Sequence, residues 1–187
     1  MTAPNNFRAF RAALMDAYNG AIRPVIEQRF RDWAAHEVEN AKQYLGETLG
    51  EWRKVESFGT DPIHWYKRQA SMWVDWTGED DAPVTLNTEK INDRAEYSAD
   101  CVIHKIVGKL VEKLMVCADQ PVIQVHTISW GSGLRFTLHA TIGDKQITVN
   151  QSMRENWTAG GTSYMQHPAR LSVDGKAISA ANYRKLW

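Results

Sequence analysis

An α+β fold follows from a change of hydrophobic period near residue 120. Residues 1–118 carry apolar side chains at spacings of three and four, the period of a helix, and residues 121–187 alternate at two, the period of a strand. Turn-forming clusters crowd the second part: Gly131-Ser132-Gly133, Gly143-Asp144, Gly160-Gly161 and Asp174-Gly175. The expectation is a helical N-terminal half with a long amphipathic helix, then a small, mostly antiparallel sheet and a short C-terminal helix. The domain boundary this suggests separates a helical region, 1–86, from a helix-plus-sheet domain, 87–187.

Phe7, Phe10, Leu14, Ala17 and Tyr18 mark one face of a first helix, which Asn19-Gly20 is expected to stop. Pro24 suits the first turn of the next helix. From Ile26 through Phe30, Trp33, Ala41, Leu45 and Leu49 to Trp52 the helical spacing persists over 24–55. A helix of that length spans about 45 Å, so it either offers a surface to a partner or a second copy, or breaks near Gly46. Asp61-Pro62 is a cap followed by a first-turn proline. Residues 63–76 read both ways, Tyr66, Ala70 and Trp73 as helix and Met72, Val74 and Trp76 as strand, with helix preferred. Residues 78–83 form an acidic loop. Asn87 or Thr88 caps a helix carrying Ile91, Ala95, Ala99, Val102, Ile106, Leu110, Leu114 and Cys117, which Pro121 ends. This stripe is expected to cover the sheet. Strands follow at 122–130, 134–142 and 146–151, then 164–173, interrupted at Pro168 as an edge strand would be. Ser179 caps a last helix, 180–186.

The chain has 22 basic and 22 acidic residues among 187, so its overall charge selects no partner. The halves differ: residues 1–120 carry 15 basic and 19 acidic residues, and 121–187 carry 7 and 3. Cys101 and Cys117, sixteen residues apart on one expected helix, lie roughly 24 Å apart and cannot bond to each other. Reduced cysteines and a polar start without a signal sequence point to a cytosol. No apolar stretch is long enough to span a membrane.

No phosphate loop, dinucleotide fingerprint or nucleophile elbow occurs. His36-Glu37-Val38-Glu39 is half of a metalloprotease motif whose second histidine is replaced by Asn40. His126, His139 and His167 could form a three-histidine metal site for a hydrolase only if the sheet gathered them. The Glu79-Asp80-Asp81 run with Asp75 lacks the alternation of a calcium loop. Lys105, Lys109 and Lys113 share one helical stripe, as the wet face of an amphipathic helix does. No catalytic residue, metal or cofactor is therefore assigned.

Two constellations suit binding. Eight tryptophans are many, and Trp65, Tyr66, Trp73 and Trp76 fall close together as a candidate protein-binding patch. In the basic C-terminal part, arginines are interleaved with aromatics: Arg135, Arg154, Trp157, Tyr164, Arg170, Arg184 and Lys185, a mixture that can stack bases and grip a phosphate backbone.

Residues 95–187 carry a further pattern: a lysine-bearing helix, a hairpin whose second half is 134–149, a polar segment with Trp157, then Tyr164-Met165-Gln166-His167-Pro168-Ala169-Arg170, Val173-Asp174-Gly175-Lys176 and a short terminal helix. This resembles a group of small uncharacterised proteins of tailed bacteriophages and prophages. The resemblance implies a phage origin and action in the host cytoplasm, and it carries over no catalytic residue. The functional expectation is a non-enzymatic phage accessory protein that binds a host or phage macromolecule, for example to inhibit a host defence system or nuclease. The alternatives are a nucleic-acid-binding protein of phage replication or packaging, and a metal-dependent hydrolase. A homo-oligomer is compatible with each.

Overall fold

Buried side chains at four-residue spacing organise the first two helices. In a computed structural model, α1 (Ala3–Ala21) buries Phe10, Leu14 and Tyr18, and α2 (Arg23–Leu45) buries Ile26, Phe30, Ala34, Val38, Ala41 and Leu45. The structure describes the backbone of residues 3–56, 58–113, 122–130, 133–142, 144–158 and 161–186. Side chains are described over 8–56, 58–111, 124, 133–141, 144–154, 167–183 and 185–186.

The expected stop at Asn19-Gly20 does not form. Both residues are helical, and the Ile22 N–H reaches the Tyr18 carbonyl at 2.8 Å. The one-residue interruption falls at Ile22, because Pro24 has no N–H to give the carbonyl four residues back. Arg23 braces the junction, donating to Asn19 Oδ1 from Nε and Nη2 at 3.2 and 3.1 Å and pairing with Asp100.

The long helix breaks at Gly46 rather than continuing to residue 55. Gly46 has φ 98° and donates to the Lys42 carbonyl at 2.9 Å, a left-handed helix end. A Cβ there would lie 2.2 Å from the Glu51 carboxylate. That carboxylate belongs to a capping box that starts α3 (Leu49–Lys54). The Thr48 N–H donates to Glu51 Oε2 at 3.0 Å, and the Glu51 N–H donates to Thr48 Oγ1 at 3.4 Å.

Residues 63–76 use both patterns in succession. Asp61 caps α4 (Pro62–Ala70), a 3-10 turn covers Ser71–Trp73, and β1 (Val74–Asp75) pairs antiparallel with β2 (Thr85–Leu86). The acidic loop between these strands is anchored by Arg53, which binds Asp80 and donates to the carbonyls of Trp76 and Gly78 at 2.9 and 2.8 Å. Gly50 is required here by close approach, since a Cβ would meet Asp80 Cβ at 2.7 Å. Asn87 caps α5 (Thr88–Lys113), accepting from the Lys90 N–H at 3.0 Å. Residues 114–121, including Cys117 and the expected stop at Pro121, lie outside the described residues.

The strands are β3 (Val122–Trp130), β4 (Gly133–Ile142), β5 (Lys145–Thr158), β6 (Gly161–Gln166), β7 (Arg170–Val173) and β8 (Lys176–Ile178). The sheet order is β3-β4-β5-β7-β8, each neighbour antiparallel, and β6 also pairs with β5. The sequence reading has no strand at β8, although its signal is present. Asp174 and Gly175 both have positive φ, 49° and 77°, as a two-residue hairpin turn demands. The last helix divides into α6 (Ala180–Tyr183) and a 3-10 turn, with Ser179 Oγ accepting the Asn182 N–H at 3.2 Å.

The chain forms two compact units, neither of them a single consecutive stretch. Unit one comprises 1–25, 99–156 and 163–187; unit two comprises 26–98 and 157–162. With 23 and 26 residues, α2 and α5 are each long enough to contribute to both. The unit-two core is built on Trp52, Trp73, Phe30, Val38, Leu49 and Ile91. Trp52 is fully buried and donates from Nε1 to the Gly46 carbonyl at 2.8 Å. In unit one, Leu134, Phe136, Leu138, Ala140, Ile147, Val149 and Met153 line the buried face of the sheet. There α1 packs on β3, and Tyr18 meets Phe136 at 6.5 Å between ring centroids. Helix α1 thus covers part of the sheet, a role that periodicity assigns to 91–117. Burial holds the Tyr18 phenol well above its usual range.

The capping box makes a pH test. The Thr48 backbone N–H, then its hydroxyl, hold the Glu51 carboxyl below its ordinary value. The folded pKa is thus lower than the unfolded one. The stabilisation is complete above the ordinary value of about 4.3 and fades as pH falls through the folded value. In urea titrations, the advantage of the wild type over Glu51→Gln is expected to be constant at neutral pH and to shrink below about pH 4.

Candidate nucleic-acid interface

Alternation along β4 and β5 gives the sheet one apolar and one polar face. Arg135, Thr137, His139 and Thr141 of β4 alternate with the buried Leu134, Phe136, Leu138 and Ala140. Gln146, Thr148, Asn150, Ser152 and Arg154 of β5 alternate in the same way with Ile147, Val149, Gln151 and Met153. Directly opposed polar residues bond across the strands. Thr137 Oγ1 donates to Asn150 Oδ1 at 2.9 Å, Thr141 Oγ1 to Gln146 Oε1 at 3.2 Å, and Thr148 Oγ1 meets His139 Nδ1 at 3.3 Å. Such pairs are the unit of sheet stabilisation.

Three arginines stand on this face. Arg135 is opposite Ser152, Arg154 is opposite Gly133, and Arg170 of β7 is opposite Asn150. This register puts Arg135 and Arg154 on a diagonal of about 7–8 Å. Arg135 and Arg170 lie two strands and two residues apart, about 12 Å. All three are exposed, and none forms an ion pair with another described residue. Guanidiniums at this spacing, without an ion pair to any described residue, offer planar, bidentate donors to phosphate or carboxylate oxygens.

Beside them the edge of β5 is interrupted. The His167 N–H still donates to the Ser152 carbonyl at 3.0 Å, and pairing resumes with Arg170 opposite Asn150. Pro168 and Ala169 therefore stand against Gln151 alone, the two-to-one count of a β-bulge. Pro168 cannot donate to the ladder. An open recess of about 820 Å³ lies here, lined by Arg135, Asn150, Ser152, His167 and Arg170 among others. Gln151, on the apolar side, is buried, and its Oε1 has no hydrogen-bond partner among the described residues.

Of the basic and aromatic residues singled out in the C-terminal part, the structure thus gathers Arg135, Arg154 and Arg170. The exposed Lys185 follows α6. The side chains of Trp157, Tyr164 and Arg184 lie outside the described residues, as does that of His126. No aromatic side chain is described on the polar face itself. His139 and His167 are exposed on the sheet, and among the described residues no group of three His, Cys, Asp or Glu side chains could hold a metal ion. His36 and Asn40, the half motif, bond to each other at 3.0 Å on an exposed helix face. Lys105 and Lys109 lie on the exposed face of α5.

The tryptophan patch divides. Trp73 is 1% exposed and belongs to the core, edge-on to Phe30 and Trp33 at 5.4 and 5.8 Å, so it cannot contribute to a surface. Trp76 is half-buried against Trp52, with Nε1 donating to the Ser71 carbonyl at 3.1 Å. Trp65 is 45% exposed and stands perpendicular to Tyr66 at 5.0 Å. Tyr66 in turn stacks on the exposed Tyr44 at 4.2 Å. Tyr44 was not singled out, since it lies on α2, 22 residues before its partner. A buried lysine was also missed: Lys67 donates to the Val55 carbonyl at the end of α3, and burial lowers its pKa. Its contacts are those of a helix-end tether.

The unit division also sharpens the charge asymmetry. Unit one holds 13 basic and 7 acidic residues, a net of +6; unit two holds 9 and 15, a net of −6. No helix among the described residues is long and apolar enough to cross a membrane. No protein-family model matches the chain, and no similar protein was found among curated sequences or solved structures.

The division of the aromatics predicts unequal costs. Trp73→Ala is expected to destabilise by about 3–5 kcal/mol. Trp65→Ala is expected to cost roughly 1 kcal/mol or less. Equilibrium denaturation of the two variants measures the difference.

Proposed function

We propose that this protein acts by binding a nucleic acid, gripping the phosphate backbone on the open face of the sheet. The observation that carries this reading is the set Arg135, Arg154 and Arg170, exposed on one polar face without ion-pair partners among the described residues. A net charge of +6 on the unit bearing them supports it. Phosphate contacts of this kind position a strand without reading its sequence, and the described face has no aromatic platform for bases. Binding is therefore sequence-tolerant. The resemblance of 95–187 to phage proteins supports a setting in phage replication or packaging in the host cytoplasm.

A second reading, a phage accessory protein that inhibits a host protein, is favoured by the surface that the exposed Tyr44 and Trp65 form with the half-buried Tyr66. Tyrosine and tryptophan are the usual anchors of protein interfaces. In this reading a tagged protein captures one host protein at equal stoichiometry despite nuclease treatment, and Trp65→Ala abolishes the capture.

Salt dependence tests the first reading. Three phosphate contacts give a slope of log Kobs against log salt of about −2 for single strands and about −2.7 for duplex DNA. Each of Arg135→Ala, Arg154→Ala and Arg170→Ala reduces the slope by about 0.7–0.9. Fluorescence anisotropy with labelled oligonucleotides over a salt series checks this. Absence of binding at low salt, or a slope that the three substitutions leave unchanged, overturns the reading.

A further inference from the structure

We infer that the recess at the Pro168–Ala169 interruption takes a terminal phosphomonoester, so that the protein recognises a phosphorylated strand end. The inference rests on the nucleic-acid reading and deepens it. The interior of a strand offers one charge per phosphodiester. A terminal phosphate carries about −1.5 to −2 near neutral pH and presents three acceptor oxygens.

The recess is matched to the second kind of group. Arg135 and Arg170 flank it from β4 and β7, with Asn150 and Ser152 of the intervening strand between them and His167 at its edge. Two guanidinium forks can each bind a pair of oxygens, and the Ser152 hydroxyl and Asn150 amide add neutral donors. That is more donor capacity than one diester uses. Among the described residues, no carboxylate lines the recess.

The backbone gives the place its shape. With Pro168 and Ala169 set against Gln151 alone, the edge of the sheet leaves its regular path beside the strand that separates Arg135 from Arg170. The volume of about 820 Å³ exceeds what a phosphate needs and accommodates a terminal nucleotide. Arg154 is not part of this lining. It lies farther along β5, where the adjoining backbone would pass. The division of labour is therefore two arginines for the end and one for the chain behind it.

The test compares three single-stranded oligonucleotides of one sequence at fixed salt: 5′-phosphorylated, 5′-hydroxyl and covalently circularised. A 3′-phosphorylated form identifies which end is read. Anisotropy is expected to show one phosphorylated form binding at least about tenfold more tightly than the hydroxyl and circular forms. Arg135→Ala and Arg170→Ala should erase that preference, whereas Arg154→Ala should weaken all forms by a similar factor and preserve it. Equal affinity for all forms overturns end recognition and leaves backbone binding standing. A preference that survives both Arg135→Ala and Arg170→Ala overturns the assignment to the recess. Failure of every form to bind overturns both.

Discussion

The register between β4 and β5 is the constraint on which the proposed interface depends. Phe136 faces Gln151 and Arg135 faces Ser152, so one pleat carries the core and the next carries the guanidiniums. A slip of one residue would turn Leu134, Phe136, Leu138 and Ala140 toward solvent and drive Arg135 inward. Each fully buried Leu or Phe contributes roughly 1.5–3 kcal/mol, and an unpaired buried charge costs several more. The sum fixes the register without help from the polar face. The polar residues are free to serve another purpose, and the cross-strand pairs Thr137–Asn150 and Thr141–Gln146 leave the arginines outside their network.

Unit two obeys a different constraint, the fit around Trp52. Its ring is enclosed and its indole N–H is satisfied by the carbonyl of Gly46, the residue that ends α2. The next residue along, Arg53, holds the 76–80 loop by one carboxylate and two carbonyls. Adjacent residues thus fix a core and an acidic loop together. This is why the Glu79–Asp81 run is better understood through its anchor than through its charge. Asp80 already has a cationic partner, so the run is not a free carboxylate cluster awaiting a cation.

Much of this was legible in the sequence because period reports burial. The strands 122–130 and 134–142 fall within a residue of their observed bounds, and Pro168 marks the interruption that the structure contains. The failures are equally physical. Asn19-Gly20 resembles a helix end, yet no other structure there competes with the helix, and Gly20 has open space around it. Neither residue needs a left-handed conformation, since the helix runs through both and is interrupted only at Ile22. Gly46 and Gly50 have the same low helix propensity, but one terminates a helix and the other admits a neighbouring backbone. Composition cannot separate these roles. Trp73 and Trp65 are eight residues apart on the α4–β1 segment, and only tertiary packing decides that one is core and the other surface. The arginines could be grouped by type from the sequence. Their gathering on one face required the pairing of β5 with β7, a long-range choice that local pattern does not encode.

The neutral total charge conceals how this chain could meet a polyanion. A surface field is set by charges within about a Debye length, about 8 Å at physiological ionic strength, and not by the sum over a chain. Unit one carries +6 and unit two −6, so the total of zero is silent about the charge of the unit that bears the sheet. Within that unit, ion pairing decides which cations can attract a ligand. Arg23 is paired with Asp100 and braces a helix junction, and Lys145 lies 3.9 Å from Asp144. Arg135, Arg154 and Arg170 have no such partner among the described residues. An exposed arginine without a carboxylate sheds little solvation in the free protein and keeps its full hydrogen-bonding capacity for a ligand. Three on one pleated face, their backbone held at fixed spacing by a register that the core enforces, are the arrangement that the proposed phosphate binding requires. The same arginines dispersed over loops would add loop ordering to the cost of immobilising each side chain, about 0.5–1.5 kcal/mol in either case.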